Sequence, residues 1–128
     1  MMTKGDIKYR DSMFVVSGSI DSSVATGDIL YQDGGNWKKA YSDGNFSDGE
    51  PVGIATESDS TGTIGIMRKG AMYVEKQTGN ALYDGDKLPI ASATGNAGTA
   101  DGANSAYAMN AIILDDAASD DTEVLVML

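Results

Sequence analysis

Carboxylates are the most abundant reactive side chains in this 128-residue chain, which has 19 Asp and Glu residues against nine Lys and Arg. The densest group is Asp115-Asp116 followed by Asp120-Asp121. It offers oxygen ligands of the kind that Ca²⁺ prefers, but it lacks the alternating carboxylates, fixed glycine and closing glutamate of a calcium-binding loop. The spacing therefore favours solvated acids in a turn over a metal site.

The chain has few residues suited to covalent or acid–base catalysis, since it contains no His and no Cys. A serine nucleophile would need Lys69, Lys76 or Lys87 as its base, and none of these stands in a Ser-x-x-Lys setting. The glycines form neither a dinucleotide-binding nor a phosphate-loop pattern. Any two acids could be paired as a hydrolase, so no particular pair is indicated. We predict that the chain is not an enzyme and needs no cofactor.

Four aromatic residues fall in one hairpin region: Tyr31, Trp37, Tyr41 and Phe46. The favoured interpretation is that they fill a core that glycine-rich strands leave under-packed. The alternative is an interaction surface in which Trp37, Lys39 and Tyr41 share one face of a strand. Such a surface would indicate a carbohydrate-binding or adhesion module.

The elements that would position these residues follow a pattern that occurs twice, about 58 residues apart. Each copy has a Gly-Asp pair, an apolar strand, a variable loop, a second apolar strand, an acidic turn and a third strand. The matching segments are Gly27 to Leu30 with Gly85 to Leu88, Gly53 to Glu57 with Ala111 to Asp115, and Thr63 to Met67 with Glu123 to Met127. Duplicated short strands and turns predict an all-β fold, a small barrel-like domain over residues 13–128, with repeats at about 27–70 and 85–128.

The two copies differ in their middle. The aromatic hairpin occurs only in the first copy, and Ala91 to Ser105, rich in small residues, replaces it in the second. That segment is predicted to be a mobile loop. Met109 to Leu114 is predicted as a strand because the repeat fixes its register, despite alanines that favour helix. The methionines of the strands are predicted core residues: Met67, Met72, Met109 and Met127.

Residues 1–12 precede both copies and are polar without a clear period, which predicts an arm that is disordered in isolation, with a first strand at Met13 to Val16. The net charge of −10 argues against nucleic acid as a direct partner. No segment has the length and apolarity of a signal peptide or a membrane span, so we expect a soluble protein made in the cytoplasm.

The order of these motifs resembles the head-decoration proteins of lambda-type tailed phages, and the duplicated layout resembles the related capsid cement family. The resemblance covers roughly residues 24–128, in pattern rather than strict identity. Its most telling part is the strand Gly53-Ile54-Ala55, an acidic turn and Lys69-Gly70 after the next strand. The remaining motifs are Trp37-Lys38-Lys39-Ala40, Ser42-Asp43-Gly44, Asp48-Gly49, Pro51-Val52 and Ser60-Thr61-Gly62-Thr63-Ile64.

The resemblance implies a β-tulip or small-barrel body that decorates the outer surface of an expanded phage head. Its partner would be the major capsid protein, and copies would gather as homotrimers on the virion, stabilising the shell. It also implies an N-terminal arm that orders on the capsid, at positions matching about Met2 to Val16. The candidate arm residues are Lys4, Ile7, Lys8, Tyr9, Arg10, Met13 and Phe14. Lambda-type members are shorter and have no clear second copy, so the lattice position is left open.

Overall fold

The computed structural model describes residues 3–17, 23–57 and 63–128, and its regular elements are strands apart from one 3₁₀ turn. The all-β, barrel-like fold predicted from the repeat is confirmed. Within the described ranges, no helix has the length and apolarity needed to cross a membrane. The elements are β1 Ile7–Ser17, β2 Ile29–Asp33, β3 Asn36–Lys39, β4 Val52–Ala55, β5 Thr63–Glu75, β6 Lys87–Pro89, the 3₁₀ turn Thr94–Asn96, β7 Tyr107–Ile113 and β8 Glu123–Met127.

Strand β5, with 13 residues, organises the sheet. The strand order is β3-β2-β4-β5-β8-β7-β6, with β1 added to β5, and all named pairings are antiparallel. Met67 pairs with both β1 and β4, and Met72 pairs with both β1 and β8. Since a strand has two edges, β4 and β8 follow one another along the edge opposite β1. The whole sheet curls into a half-barrel.

The two repeats pair their strands in the same register. Three strand pairs in the first repeat have a counterpart shifted by 58 residues, or by 60 in the last strand, where the sequence placed a two-residue insertion. The matched pairs are Ile29–Ile54 with Lys87–Ile112, Ile54–Met67 with Ile112–Met127, and Ala55–Ile66 with Ile113–Val126. The duplication seen in the sequence is therefore a duplication of β-sheet register.

The repeated Gly-Asp pairs form the same turn in both copies. Gly27 and Gly85 have φ angles of 90° and 92°, in the region that glycine adopts at least cost. Gly27 N–H donates to Ala55 O at 2.7 Å, and Gly85 N–H donates to Ile113 O at 2.8 Å. The carbonyls of the following aspartates, Asp28 and Asp86, accept from the N–H groups of those same two strand residues. Glycine is thus required by the backbone, which explains why it recurs.

The register extends each repeat beyond its predicted bounds. Met13 pairs with Met67, and Ala71 pairs with Met127, so Ala71 matches Met13 with an offset of 71 − 13 = 58. The repeats are therefore corrected from 27–70 and 85–128 to 13–70 and 71–128. Strand β5 is shared, since its first part ends repeat one and its second part begins repeat two.

The predicted boundary between arm and body is also corrected. Strand β1 begins at Ile7, six residues before the predicted strand start at Met13, and residues 7–12 pair with the centre of β5. The polar composition of this stretch hid the strand, because an edge strand with bulges needs no strict apolar alternation. Disorder of the arm before it meets a partner stays a prediction.

Two clusters form the core. The larger cluster fills the half-barrel and draws on both repeats, whereas the smaller one lies within repeat one. Residues at matching positions enter different clusters: the small cluster holds Val24, Leu30, Ala55, Ile64 and Ile66, and the large one holds their counterparts Leu82, Leu88, Ile113, Val124 and Val126. The repeats therefore share their register but not their environment.

Two predictions about the second repeat need correction, whereas its strand β7 at Tyr107–Ile113 is confirmed over a helix. The segment from Ala91 to Ser105, predicted to be a mobile loop, is held by backbone hydrogen bonds to Ala40 and Glu75 and buries Ala91 and Ala100. Small residues suit it because it packs between strands. Met67 and Met72 lie in the core as predicted, but Met109 is 65 % exposed and Met127 is half-buried outside both core clusters.

Candidate functional site

The N-terminal segment, residues 3–8, lies on the first Gly-Asp turn. Lys4 Nζ forms a salt bridge with Asp28 Oδ1 at 2.7 Å, and Asp28 Oδ2 accepts from Ala25 N–H at 2.8 Å. The Asp28 side chain is only 4 % exposed, so the lysine supplies the counter-charge that a buried carboxylate needs. Gly5 N–H donates to Tyr73 O, and Tyr73 N–H donates to Asp6 O, both at 2.9 Å.

Gly27 makes room for this segment. A Cβ atom on Gly27 would lie 2.5 Å from Lys4 Cγ and 2.9 Å from Gly5 N. The matching Gly85 has no atom within 4 Å of such a Cβ. The first Gly-Asp turn is thus a docking platform for the N-terminal segment, whereas the second is open. The Gly-Asp motif is visible in the sequence, but this docking role is not, because the two motifs look alike and only the first contacts the N-terminal segment.

The predicted arm residues lie on β1, apart from Lys4, which lies just before it. Lys4 and Ile7 are half-buried, with Ile7 packed against the large core, and Lys8 is exposed. Tyr9, Arg10, Met13 and Phe14 lie on β1 opposite Ala71, Gly70, Met67 and Ile66, and their side chains lie outside the described part. The pairings of the described strands use only one edge of β1, along which nine of its residues have partners on β5. The other edge presents backbone N–H and C=O groups that a further strand can bond.

Trp37 does not belong to an exposed interaction surface. It is 4 % exposed within the small cluster of repeat one, and the Arg68 guanidinium carbon lies 5.9 Å from its ring centroid. Such a distance is a cation–π contact. The indole therefore offers no ring face for stacking on a sugar, and the predicted grouping of Trp37 with Lys39 and Tyr41 is corrected.

Lys39 and Tyr41 both line a polar cleft of about 530 Å³. Both side chains are half-buried, and Lys38 at the same cleft donates to Asp33 Oδ2 at 3.1 Å. The described lining of this cleft has one aromatic residue, Tyr41, since Trp37 and Phe46 are buried in the core. Its other lining residues are Ser23, Gly44, Asn45, Thr94 and Ala97.

The remaining hairpin aromatics confirm the core-filling interpretation. Phe46 is 2 % exposed, and its ring meets the ring of Tyr31 edge-on, with centroids 5.9 Å apart and planes at 85°. The Tyr31 hydroxyl donates to Glu50 Oε1 at 3.3 Å. Burial and then the nearby Glu50 carboxylate raise the pKa of Tyr31 above its ordinary value of 10.0.

The acidic turn residues act as acceptors for turn backbone. Asp116 Oδ1 accepts from Asp84 N–H at 2.8 Å, and Asp121 Oδ2 accepts from Ala118 N–H at 2.8 Å. In the described ranges, no three acidic side chains lie close enough together to hold a metal ion. The acids occur in these turns because their side chains accept hydrogen bonds from the turn backbone.

One charged residue that the sequence did not single out is fully buried. Lys76 is 1 % exposed, and its Nζ donates to Gln77 O at 3.0 Å and to Ser119 O and Asp121 O at 3.2 Å. Three carbonyl oxygens therefore match the three donors of the ammonium group. The contact ties the end of β5 to the turn before β8. Nothing in the local sequence distinguishes this lysine from an exposed one.

Comparison of the sequence with models of protein families, and with curated proteins, finds no match.

Proposed function

We propose that this protein is a non-enzymatic decoration protein that binds the outer surface of an expanded phage head and stabilises it. The observation that carries the proposal is the second edge of β1, an 11-residue strand that pairs with β5 on one side only among the described strands. An unpaired edge can receive a strand from a partner by main-chain hydrogen bonding. Lys4 in the preceding segment and Lys8 at the start of β1 supply cations, on a chain of net charge −10.

The duplicated all-β body supports the proposal. A rigid sheet bearing an edge and a basic segment suits a protein that makes many moderate contacts over a large surface. A protein that binds only the expanded shell stabilises that shell by mass action. We propose that copies bind as trimers, because several weak contacts to one shell then add through avidity.

Binding to shells tests this function. The shells are assembled from the major capsid protein encoded in the same genome, in unexpanded and expanded forms, and binding is measured by co-sedimentation. We expect saturable binding to expanded shells and a higher melting temperature of those shells. If the protein binds neither expanded nor unexpanded shells, the proposal is wrong.

A substitution is a better probe of the N-terminal segment than removal of residues 2–12, because residues 7–12 pair with β5 and their loss also weakens the fold. Lys8→Glu reverses an exposed charge on β1, and we expect it to weaken shell binding several-fold. Thr94→Glu, on the exposed 3₁₀ turn, is the matched control and should bind as the unaltered protein does. If both variants bind shells equally well, β1 does not contact the shell.

A further inference from the structure

The outer face of repeat two carries apolar residues that the described part of the chain covers only partly. Ile112 is 42 % exposed, and its neighbour Met127, directly opposite on β8, is half-buried. Lys87 is opposite Ile112 on the other side and is exposed. Directly opposite residues point to the same face of a sheet, so these three form one row.

The matching row in repeat one has a different environment. Ile29, Ile54 and Met67 stand in the same register, and each is fully buried in the large core. That core includes residues of repeat two, so the second repeat covers this face of the first. On the corresponding face of the second repeat, Ala71 and Tyr73 at the β5 side are buried, whereas Ile112 at the β7 side is 42 % exposed.

A second apolar row lies two residues further along the strands. Leu125 is opposite Tyr73, and Leu114 N–H donates to Leu125 O at 2.9 Å. Leu114 and Leu125 are half-buried and Tyr73 is 6 % exposed. We call the two rows together the outer stripe, defined by Ile112, Met127, Leu114, Leu125 and Tyr73.

Opposite charges border the outer stripe at its two ends. Glu75 and Glu123 face each other across β5 and β8, in the row beyond Tyr73 and Leu125. Like charges directly opposite in a sheet are destabilising. Lys4 Nζ lies 3.9 Å from Glu75 Oε1, and no salt bridge joins Glu123 to a cation in the described ranges. Lys87 stands at the other end of the stripe.

The distance between these ends follows from sheet geometry. Glu123 is four residues along β8 from Met127, or about 13 Å, and Lys87 is two strands away from Met127, or about 10 Å. The acidic end and the basic end therefore do not neutralise each other within one chain. Lys4 partly balances Glu75 within the chain, and Glu123 and Lys87 would find their opposite charges on another molecule that carries the same stripe.

We propose that the outer stripe is the contact surface between copies of this chain, with the Lys87 end of one copy against the Glu75–Glu123 end of another. An apolar centre bordered by charged groups is the usual arrangement of a protein interface. A second copy supplies both the apolar surface and the opposite charges. This contact goes beyond the proposed shell binding, because it needs no shell.

Sedimentation of the full chain without shells, over a series of concentrations, tests the contact. We expect a species whose mass is a multiple of 13.3 kDa. Ile112→Glu should be monomeric throughout, and it should fold because the side chain is already 42 % exposed, which circular dichroism checks. Ala93→Glu places the same charge on another exposed position and should associate as the unaltered protein does.

A charge exchange identifies the ends of the contact. Lys87→Glu and Glu123→Lys should each weaken association about three- to tenfold, since two like charges then meet. The double variant again sets opposite charges at positions 87 and 123 across a contact between identical copies, while Glu75 is unchanged, so it should associate more tightly than either single variant. Rescue of this kind is not expected if the stripe binds another protein.

Three results would overturn the proposal: a monomer at every concentration, unchanged association of Ile112→Glu, or a double variant as weak as the single ones. Shell binding of the same variants is measured separately. If the unaltered chain is monomeric and Ile112→Glu loses shell binding, the stripe belongs to the shell contact. The proposed function then stands while the self-contact fails.

Discussion

Asn110 holds the backbone of Val52, the residue that occupies the matching position in the other repeat, since 110 − 52 = 58. Its side-chain oxygen accepts from Val52 N–H at 2.9 Å, and its side-chain nitrogen donates to Val52 O at 3.0 Å. Matching residues therefore lie side by side where β4 and β7 approach. The two repeats are joined by one polar side chain as well as by the shared core.

Asn110→Ala should lower the free energy of unfolding by about 1–3 kcal/mol, because it removes the side-chain partners of the backbone N–H and C=O of the buried Val52. Urea unfolding measures the change. The exposed Asn80 provides a control, and Asn80→Ala should leave the midpoint almost unchanged. Equal midpoints for the two variants would show that the side-chain contact contributes nothing.

The two Gly-Asp turns provide a matched pair of substitutions. Gly85→Ala places a Cβ in open space at a φ of 92°, so it should cost only the backbone strain, about 1–2 kcal/mol. Gly27→Ala has the same strain and also displaces Lys4 and Gly5. We expect a larger loss of stability for Gly27→Ala, together with faster proteolysis of the N-terminal segment.

These two measurements decide whether the N-terminal segment is docked in solution. If Gly27→Ala and Gly85→Ala lose the same stability and show the same proteolysis, residues 4 and 5 do not lie on the first turn. The Lys4–Asp28 salt bridge would then form only in the presence of a partner.

Lys76→Met should reduce the free energy of unfolding by roughly 3 kcal/mol, since it leaves buried carbonyl oxygens without their donor. The methionine has similar length, so the loss reports the hydrogen bonds more than the packing. Lys8→Met, at an exposed lysine, is the control. Similar unfolding curves for both variants would contradict the role assigned to the Lys76 ammonium.

Tyr31 makes the free energy of unfolding depend on pH in the alkaline range. Because its folded pKa is raised above 10.0, the folded state holds the phenol proton more tightly than the unfolded state does. This contribution is fully present below pH 10 and is lost as pH rises through the folded pKa. Tyr31→Phe should lose less stability than the unaltered protein over that range, as measured by urea unfolding.

Tyr83→Phe is the control for the alkaline series, since Tyr83 is 59 % exposed. Its stability should fall with pH as steeply as that of the unaltered protein. A Tyr31→Phe variant with that same steep fall would assign the pH dependence to other groups.

The repeat could be read from the sequence because its features are local. A glycine at positive φ recurs at Gly27 and Gly85 since few other residues adopt that conformation without strain. The two-residue insertion before β8 could be located for the same reason, since the apolar strand resumes after it. The first 14 residues of each repeat were missed because Met13 to Thr26 and Ala71 to Asp84 share a strand register but little sequence.

The candidate site was predicted only in part. Lys4, Ile7 and Lys8 do lie on one segment with β1, but the pairing of Lys4 with Asp28 joins residues 24 positions apart and has no local signature. The sequence left a surface position for Trp37 open as an alternative to the core, because alternation along a strand gives two faces without telling which one is covered. Ile54 and Ile112 show the same limit, since identical residues in the same register are buried in one repeat and exposed in the other.

The sequence by itself determined the all-β class, the duplicated register and the Gly-Asp turns, because each follows from backbone preferences and apolar periodicity over a few residues. Only the tertiary structure decided which faces are covered, where Lys4 and Lys76 find their oxygen partners, and how β5 serves both repeats. Those outcomes depend on contacts between distant segments, and a local pattern cannot encode which neighbour a face will meet.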